Sequence, residues 1–166
     1  IGTADVLRNW VVACVANFVG AAGLAVLVWA SGHPMMNGGA VARTAVAIAT
    51  TKVQLPIGEL VVRGVLCNVL VCMALWMALA GRSVVDKAVA IVFPVTAFVA
   101  AGFEHSIANM YFITLAMLLG APLGVGDMLR NLGPVIAGNI IGGSVLVALV
   151  YWVVYLRTAK LPDRSP

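Results

Sequence analysis

The chain has 166 residues, of which 63% are hydrophobic and 10% charged, and its mean hydropathy is +1.08. A soluble domain exposes a polar surface and carries about a quarter charged residues, so this composition excludes one and makes lipid the natural solvent. The formal charge of +4 comes from 10 Lys and Arg against 6 Asp and Glu. These are scattered between apolar runs without a basic stripe or an aromatic platform, which argues against nucleic acid as a partner.

Four apolar blocks are predicted as membrane spans, over residues of about 10–31, 60–80, 88–119 and 134–156. The first, from Trp10 to Trp29, is roughly 28 Å long as a helix, close to the hydrocarbon thickness. Its tryptophans stand where interfacial anchors belong. A long connection follows, with His33, Pro34, Asn37, Gly38 and Gly39. Its moderately apolar stretch from Arg43 to Ile48 reads either as an interfacial helix or as part of an external vestibule. The second block carries Asn68 mid-way, with Val71, Cys72 and Leu75 at helical spacing on the same face. An amide there either hydrogen-bonds a passing anion or glues two helices, and the spacing leaves both open.

The third block is too long for one straight helix, since about 32 residues make roughly 48 Å. Pro94 and Gly102 interrupt it, and the polar set Glu104, His105, Ser106 and Asn109 follows directly. Broken helices persist in membranes where they are buried in protein or line a wet cavity, and transporters place their sites at such breaks. Ionisable groups deep in a span default to a functional reading, which is preferred here for Glu104 and His105 over packing glue. A glycine-rich connection at 120–127 precedes the fourth block, which ends in Tyr151, Trp152 and Tyr155. Asn17 in the first block and Asn139 in the fourth pose the same choice as Asn68. Asn139 lies in a small-xxx-small frame between Gly138 and Gly142, which favours close packing.

With four crossings both ends lie on one side. Arg8, Arg82, Lys87, Arg157, Lys160 and Arg164 collect there, against Arg43, Lys52, Arg63 and Arg130 on the other, so both ends are expected in the cytoplasm. Cys14, Cys67 and Cys72 lie inside apolar runs and read as small buried hydrophobes. No H-E-x-x-H, G-x-S-x-G or phosphate-cradling loop is present, so an enzyme is not expected. The two histidines, one of them in a loop, disfavour a haem-carrying electron-transfer subunit, and no metal or other cofactor is expected. A helical structural subunit, or a degenerate half-channel without transport activity, is the rival to a transporter.

The string Phe98-Val-Ala-Ala-Gly-Phe-Glu-His-Ser-Ile-Ala-Asn-Met110 closely resembles the fifth, broken segment of the formate/nitrite transporter family. Arg63 to Met77 resembles the fourth segment, and Gly138 to Gly143 the sixth. The resemblance implies an all-α, aquaporin-like membrane bundle of two inverted repeats, assembled as a homopentamer in the bacterial inner membrane. It implies substrates such as formate, nitrite and hydrosulfide, carried by channel-like or proton-coupled movement. It makes His105 the central pore histidine, Asn68 the amide beside it, Phe98 an apolar constriction and Val71 a pore-wall residue, and Asn139 joins them as a candidate. Lys52 matches a vestibule lysine that pairs with the glutamate at Glu104. Family members have six spans, and this chain begins at the third. The first two, including a broken helix and its loop, lie outside it.

Overall fold

The computed structural model describes residues 2–157. Lys160 and Arg164, used in the charge count above, lie outside the described residues. The helices are α1 (Thr3–Ala30), α2 (Met36–Gln54), α3 (Ile57–Ala80), α4 (Val84–Ala100), α5 (Ser106–Leu118) and α6 (Val125–Ile141). A 3-10 turn at His33–Met35 precedes α2, and wider π-type turns at Gly142–Leu149 and Trp152–Leu156 carry the chain on from α6. Among the described residues, three stretches are long and apolar enough to cross a membrane: Thr3–Ala30, Ile57–Ala80 and Val125–Tyr155. A fourth apolar stretch, the third block of the sequence, is divided into α4 and α5 around residues 101–105.

The chain divides into two units, each drawn from two stretches. Unit 1 comprises Ile1–Glu59 and His105–Pro134, and unit 2 comprises Leu60–Glu104 and Val135–Pro166. In unit 1, α1, α2 and α5 pack through small residues. Ala25, Ala45 and Leu115 form a buried cluster with Val28, Tyr111 and Leu118 against it. The stretch around Arg43–Ile48 is helical and belongs to a longer helix. After a left-handed turn at Asn37–Gly39, stapled by the Arg43 guanidinium donating to the Gly38 carbonyl at 2.7 Å, α2 buries Ala45, Ala49 and Val53. It ends before Pro56, which disfavours helical geometry at Leu55; that residue is extended, at ψ 142°.

In unit 2, glycines set the distance between α3 and the chain after Pro134. A Cβ built on Gly138 would overlap the Val61 carbonyl, and one on Gly142 would overlap that of Val65. The two backbones therefore touch, as small-xxx-small frames permit. Farther along, Trp76 meets Tyr151 and Tyr155 edge-on, at centroid distances of 5.1 and 6.1 Å, in the arrangement aromatic quadrupoles prefer.

The sequence places a connection up to Asp127 and a helix from Pro134. The helix instead begins at Val125. Pro134 lies inside it, and Met128, Asn131, Leu132 and Val135 are buried at three- and four-residue spacing. That apolar stripe outweighs the turn-forming glycines ahead of it.

Candidate pore site

The break begins with a helix cap. At the end of α4, Gly102 adopts φ 67°, a left-handed conformation that costs glycine nothing. The Gly102 N–H donates to the Val99 carbonyl at 3.1 Å, and the Phe103 N–H donates to that of Phe98 at 3.0 Å. This pair of bonds is the Schellman pattern, and it satisfies carbonyls that the helix end would otherwise leave open. Phe98 is thereby fixed one turn before the break, with its side chain half-buried.

The far side is capped differently. His105 is the N-cap of α5, with extended backbone (φ −109°, ψ 117°). Its Nδ1 accepts from the Ala108 N–H at 3.3 Å, and its carbonyl accepts from the Asn109 N–H at 2.9 Å. An imidazole nitrogen accepting a hydrogen bond carries no proton, so the neutral ring holds its proton on Nε2. His105 also lines a cleft of about 530 Å³ in unit 1, together with Asn17, Leu24, Ile107 and Tyr111. The structure thus brings together His105 and Asn17, two polar residues that the sequence singled out separately.

In unit 2, Asn139, Asn68 and Glu104 form one hydrogen-bonded group. The Asn139 amide donates to the Gly64 carbonyl at 2.9 Å and to the Glu104 carbonyl at 3.0 Å. Asn68 donates in turn to the Asn139 carbonyl. Glu104 is 1% exposed, and its N–H points at the Arg63 carbonyl, 3.4 Å away. Asn139 therefore ties α3 to the break, while Val71 lies one turn from Asn68 and is half-buried. A Cβ on Gly143 would come within 2.5 Å of Asn68 Nδ2 and 3.3 Å of Cys72 Sγ, so the missing side chain is what makes room for the Asn68 amide.

Unit 1 holds Lys52, in the last turn of α2, where a cation complements the helix dipole. It also holds a buried pair that the sequence reading passed over. Asn109 Nδ2 donates to Asn131 Oδ1 at 2.8 Å, and Asn131 Nδ2 donates to the Lys52 carbonyl at 2.9 Å. Beside them, the Arg130 guanidinium donates to the Val53 and Leu55 carbonyls. The sequence reading counts Arg130 only among the charges of one membrane face and does not single out Asn131. The signal that finds Asn131 is its place in the stripe of Met128, Leu132 and Val135.

An interrupted apolar helix, its cut ends hydrogen-bonded at home and ionisable residues at the cut, is an arrangement that the class of membrane channels and transporters uses. The chain belongs, within that class, to the formate/nitrite transporter family, whose profile matches residues 1–153. It is 41% identical over 169 residues to the formate channel FocA of Escherichia coli K12, covering 90% of this chain and 59% of that protein. It is 42% identical over 164 residues to a probable formate transporter of Methanothermobacter thermautotrophicus, covering 91% of this chain and 60% of that one. The structure superimposes on a pentameric formate channel with formate bound at a TM-score of 0.83, with 34% identity, over 92% of this chain and 68% of that one. The chain therefore spans about three-fifths of the length of these curated relatives. The helical membrane bundle with a break at Gly102, expected from the sequence, is the fold observed.

Proposed function

We propose that the complete protein conducts small monovalent anions, formate foremost, across the bacterial inner membrane, and that it does so as a homopentamer rather than as an enzyme. Nitrite and hydrosulfide belong to the same substrate class. Both ends of this chain face the cytoplasm in this reading, following the distribution of Lys and Arg. The observation that carries the proposal is the state of His105 at the break: its Nδ1 is held by the backbone of α5, which leaves Nε2–H as the ring's donor.

In this mechanism an anion is drawn towards the vestibule by Lys52. Phe98 forms an apolar constriction where a bare charge is costly to desolvate. His105, with Asn68, offers a hydrogen bond or a proton to the anion, which then crosses as a nearly neutral species. Val71 forms part of the wall. Asn139 shapes the pore by holding Asn68 and the Glu104 backbone, and Glu104 is, by the family resemblance, the partner of the vestibule lysine at Lys52.

The test is formate and nitrite flux into liposomes that hold this chain, alongside the product of the entire gene. Flux that saturates with formate and persists at neutral pH supports the reading. Tight, well-folded vesicle preparations of the complete product that pass neither anion would remove it and leave the structural-subunit alternative.

A further inference from the structure

We infer that Asn131 is a positioning residue of the site: its amide sets the orientation of Asn109 and holds the Lys52 end of α2 against the head of α5. The inference rests on the transport reading for its consequence, but its geometry stands in unit 1 alone. Asn109 and Asn131 are both 0% exposed. An amide is asymmetric, with two donors at one end and an acceptor at the other. The Lys52 carbonyl can only accept, so it turns Asn131 Nδ2 towards itself at 2.9 Å. Asn131 Oδ1 then faces Asn109, which must present Nδ2, as it does at 2.8 Å. The orientation of one buried amide dictates the next, and Asn109 Oδ1 is turned away from Asn131 as a result.

Three elements meet in this relay. Asn131 lies on α6, Lys52 in the last turn of α2 and Asn109 in the first turn of α5, where its N–H also donates to the His105 carbonyl at 2.9 Å. The backbone carbonyls of Lys52 and His105 are therefore linked through Asn131 and Asn109 by three hydrogen bonds. Arg130, adjacent in the chain, braces the carbonyls just beyond Lys52. Buried amide networks of this kind are specific because leaving one member unsatisfied is costly.

The test compares Asn131→Leu and Asn131→Asp with the parent in the complete protein. Two readouts come from the same liposomes: formate flux against concentration, and hydrogen exchange at residues 51–55 and 106–109. Leu removes both bonds. Asp is isosteric: ionised, it sets a carboxylate against the Lys52 carbonyl, but protonated it regains one donor and one acceptor. Lys52 on α2, His105 at the head of α5, and Asp127 and Arg130 on α6 carry charge or titrate in parent and variant alike, so the variant-to-parent ratio removes their contribution.

Asn131→Leu is expected to lower flux by about tenfold, as misplacement of a site by a fraction of an ångström does, and to speed exchange at both segments. The Asp ratio is expected to be low at a pH of about 7.5 and to recover towards a pH of about 5, since burial raises a carboxyl's pKa. An Asp ratio that stays flat with pH in both readouts overturns the inference, as does Leu at parental flux and exchange. If Leu does not fold, the Asp series decides alone. If the parent passes no anion, the transport reading fails, while exchange at the two segments still decides the positioning role.

Discussion

Gly138 is the position where one methyl group should do most damage. A Cβ there would overlap the Val61 carbonyl and come within 3.1 Å of the Gly64 Cα. Both obstacles are backbone, so no rotamer change relieves them, and α6 must retreat from α3 by roughly 1 Å to reach ordinary contact. That retreat stretches the hydrogen bonds from Asn139, the next residue, to the Gly64 and Glu104 carbonyls. Overpacking costs about 1–3 kcal/mol, and each weakened buried hydrogen bond adds about 1 kcal/mol. Ala returns about 1 kcal/mol in helix propensity. The net expectation for Gly138→Ala is a loss of about 3 kcal/mol, or about 150-fold in the folded ratio. Two controls grade the effect. At Gly64 the nearest atom to a Cβ, the Val135 carbonyl oxygen, is 3.0 Å away, and Ala should cost about 1 kcal/mol. At Gly126, on the same helix as Gly138, nothing lies within 4 Å, and Ala should be neutral or gain about 0.5 kcal/mol. Reversible unfolding in mixed micelles, followed by far-UV circular dichroism, measures all three. If Gly138→Ala unfolds together with Gly126→Ala, the close approach of α3 and α6 is wrong.

Other outcomes test the site and its frame. His105→Phe keeps an aromatic ring but removes the N-cap acceptor and the Nε2 donor, so the pH dependence of anion flux should disappear; a pH profile matching the parent's would rule out the proton role. Arg130→Met removes donors to two carbonyls at the end of α2, where hydrogen bonds to a charged group are worth about 1.5–3 kcal/mol before solvent screening. Because Arg130 is exposed, about 1 kcal/mol of destabilisation is expected in the same unfolding assay. Ser83 Oγ caps α4 by accepting from the Asp86 N–H at 3.1 Å, and Ser83→Ala should cost about 1 kcal/mol. The N–H groups of Ser83 and Arg82 donate back to the Asp86 carboxylate, and with the Ser83 hydroxyl they hold its carboxyl below the usual range. A lowered folded-state pKa means that the cap's contribution is complete above the unfolded value of about 4 and fades as pH falls through the folded one. Acid unfolding of Asp86→Asn should lack that component.

Much of the fold was legible because lipid leaves the sequence few options. Blocks of about twenty apolar residues must be helices, and a block half as long again, with Pro94, Gly102 and charges behind them, must break. The break was readable because a left-handed cap demands glycine and Gly102 supplies it. The start of α6 was misjudged because its first turn holds Gly126 and Asp127, which read as a connection. Only the burial of Met128, Leu132 and Val135 on one face reveals the helix. The glycine frame around Asn139 marks a close approach of backbones, and the partners of its amide, the Gly64 and Glu104 carbonyls, become visible only in the structure. Asn131 was not legible, because a lone asparagine beside Arg130 looks like a solvated residue until its neighbours on α2 and α5 are known.

The two caps at the break are unequal, and that inequality has an electrical meaning. The carbonyls that close α4 are quenched by the Gly102 and Phe103 amides, so the negative pole of that half-helix is muted. The head of α5 is capped by the neutral imidazole nitrogen of His105, in a position where many helices carry an acidic side chain. The first-turn amides of α5 therefore keep a partial positive pole, which draws a negative charge without gripping it as a full cation would.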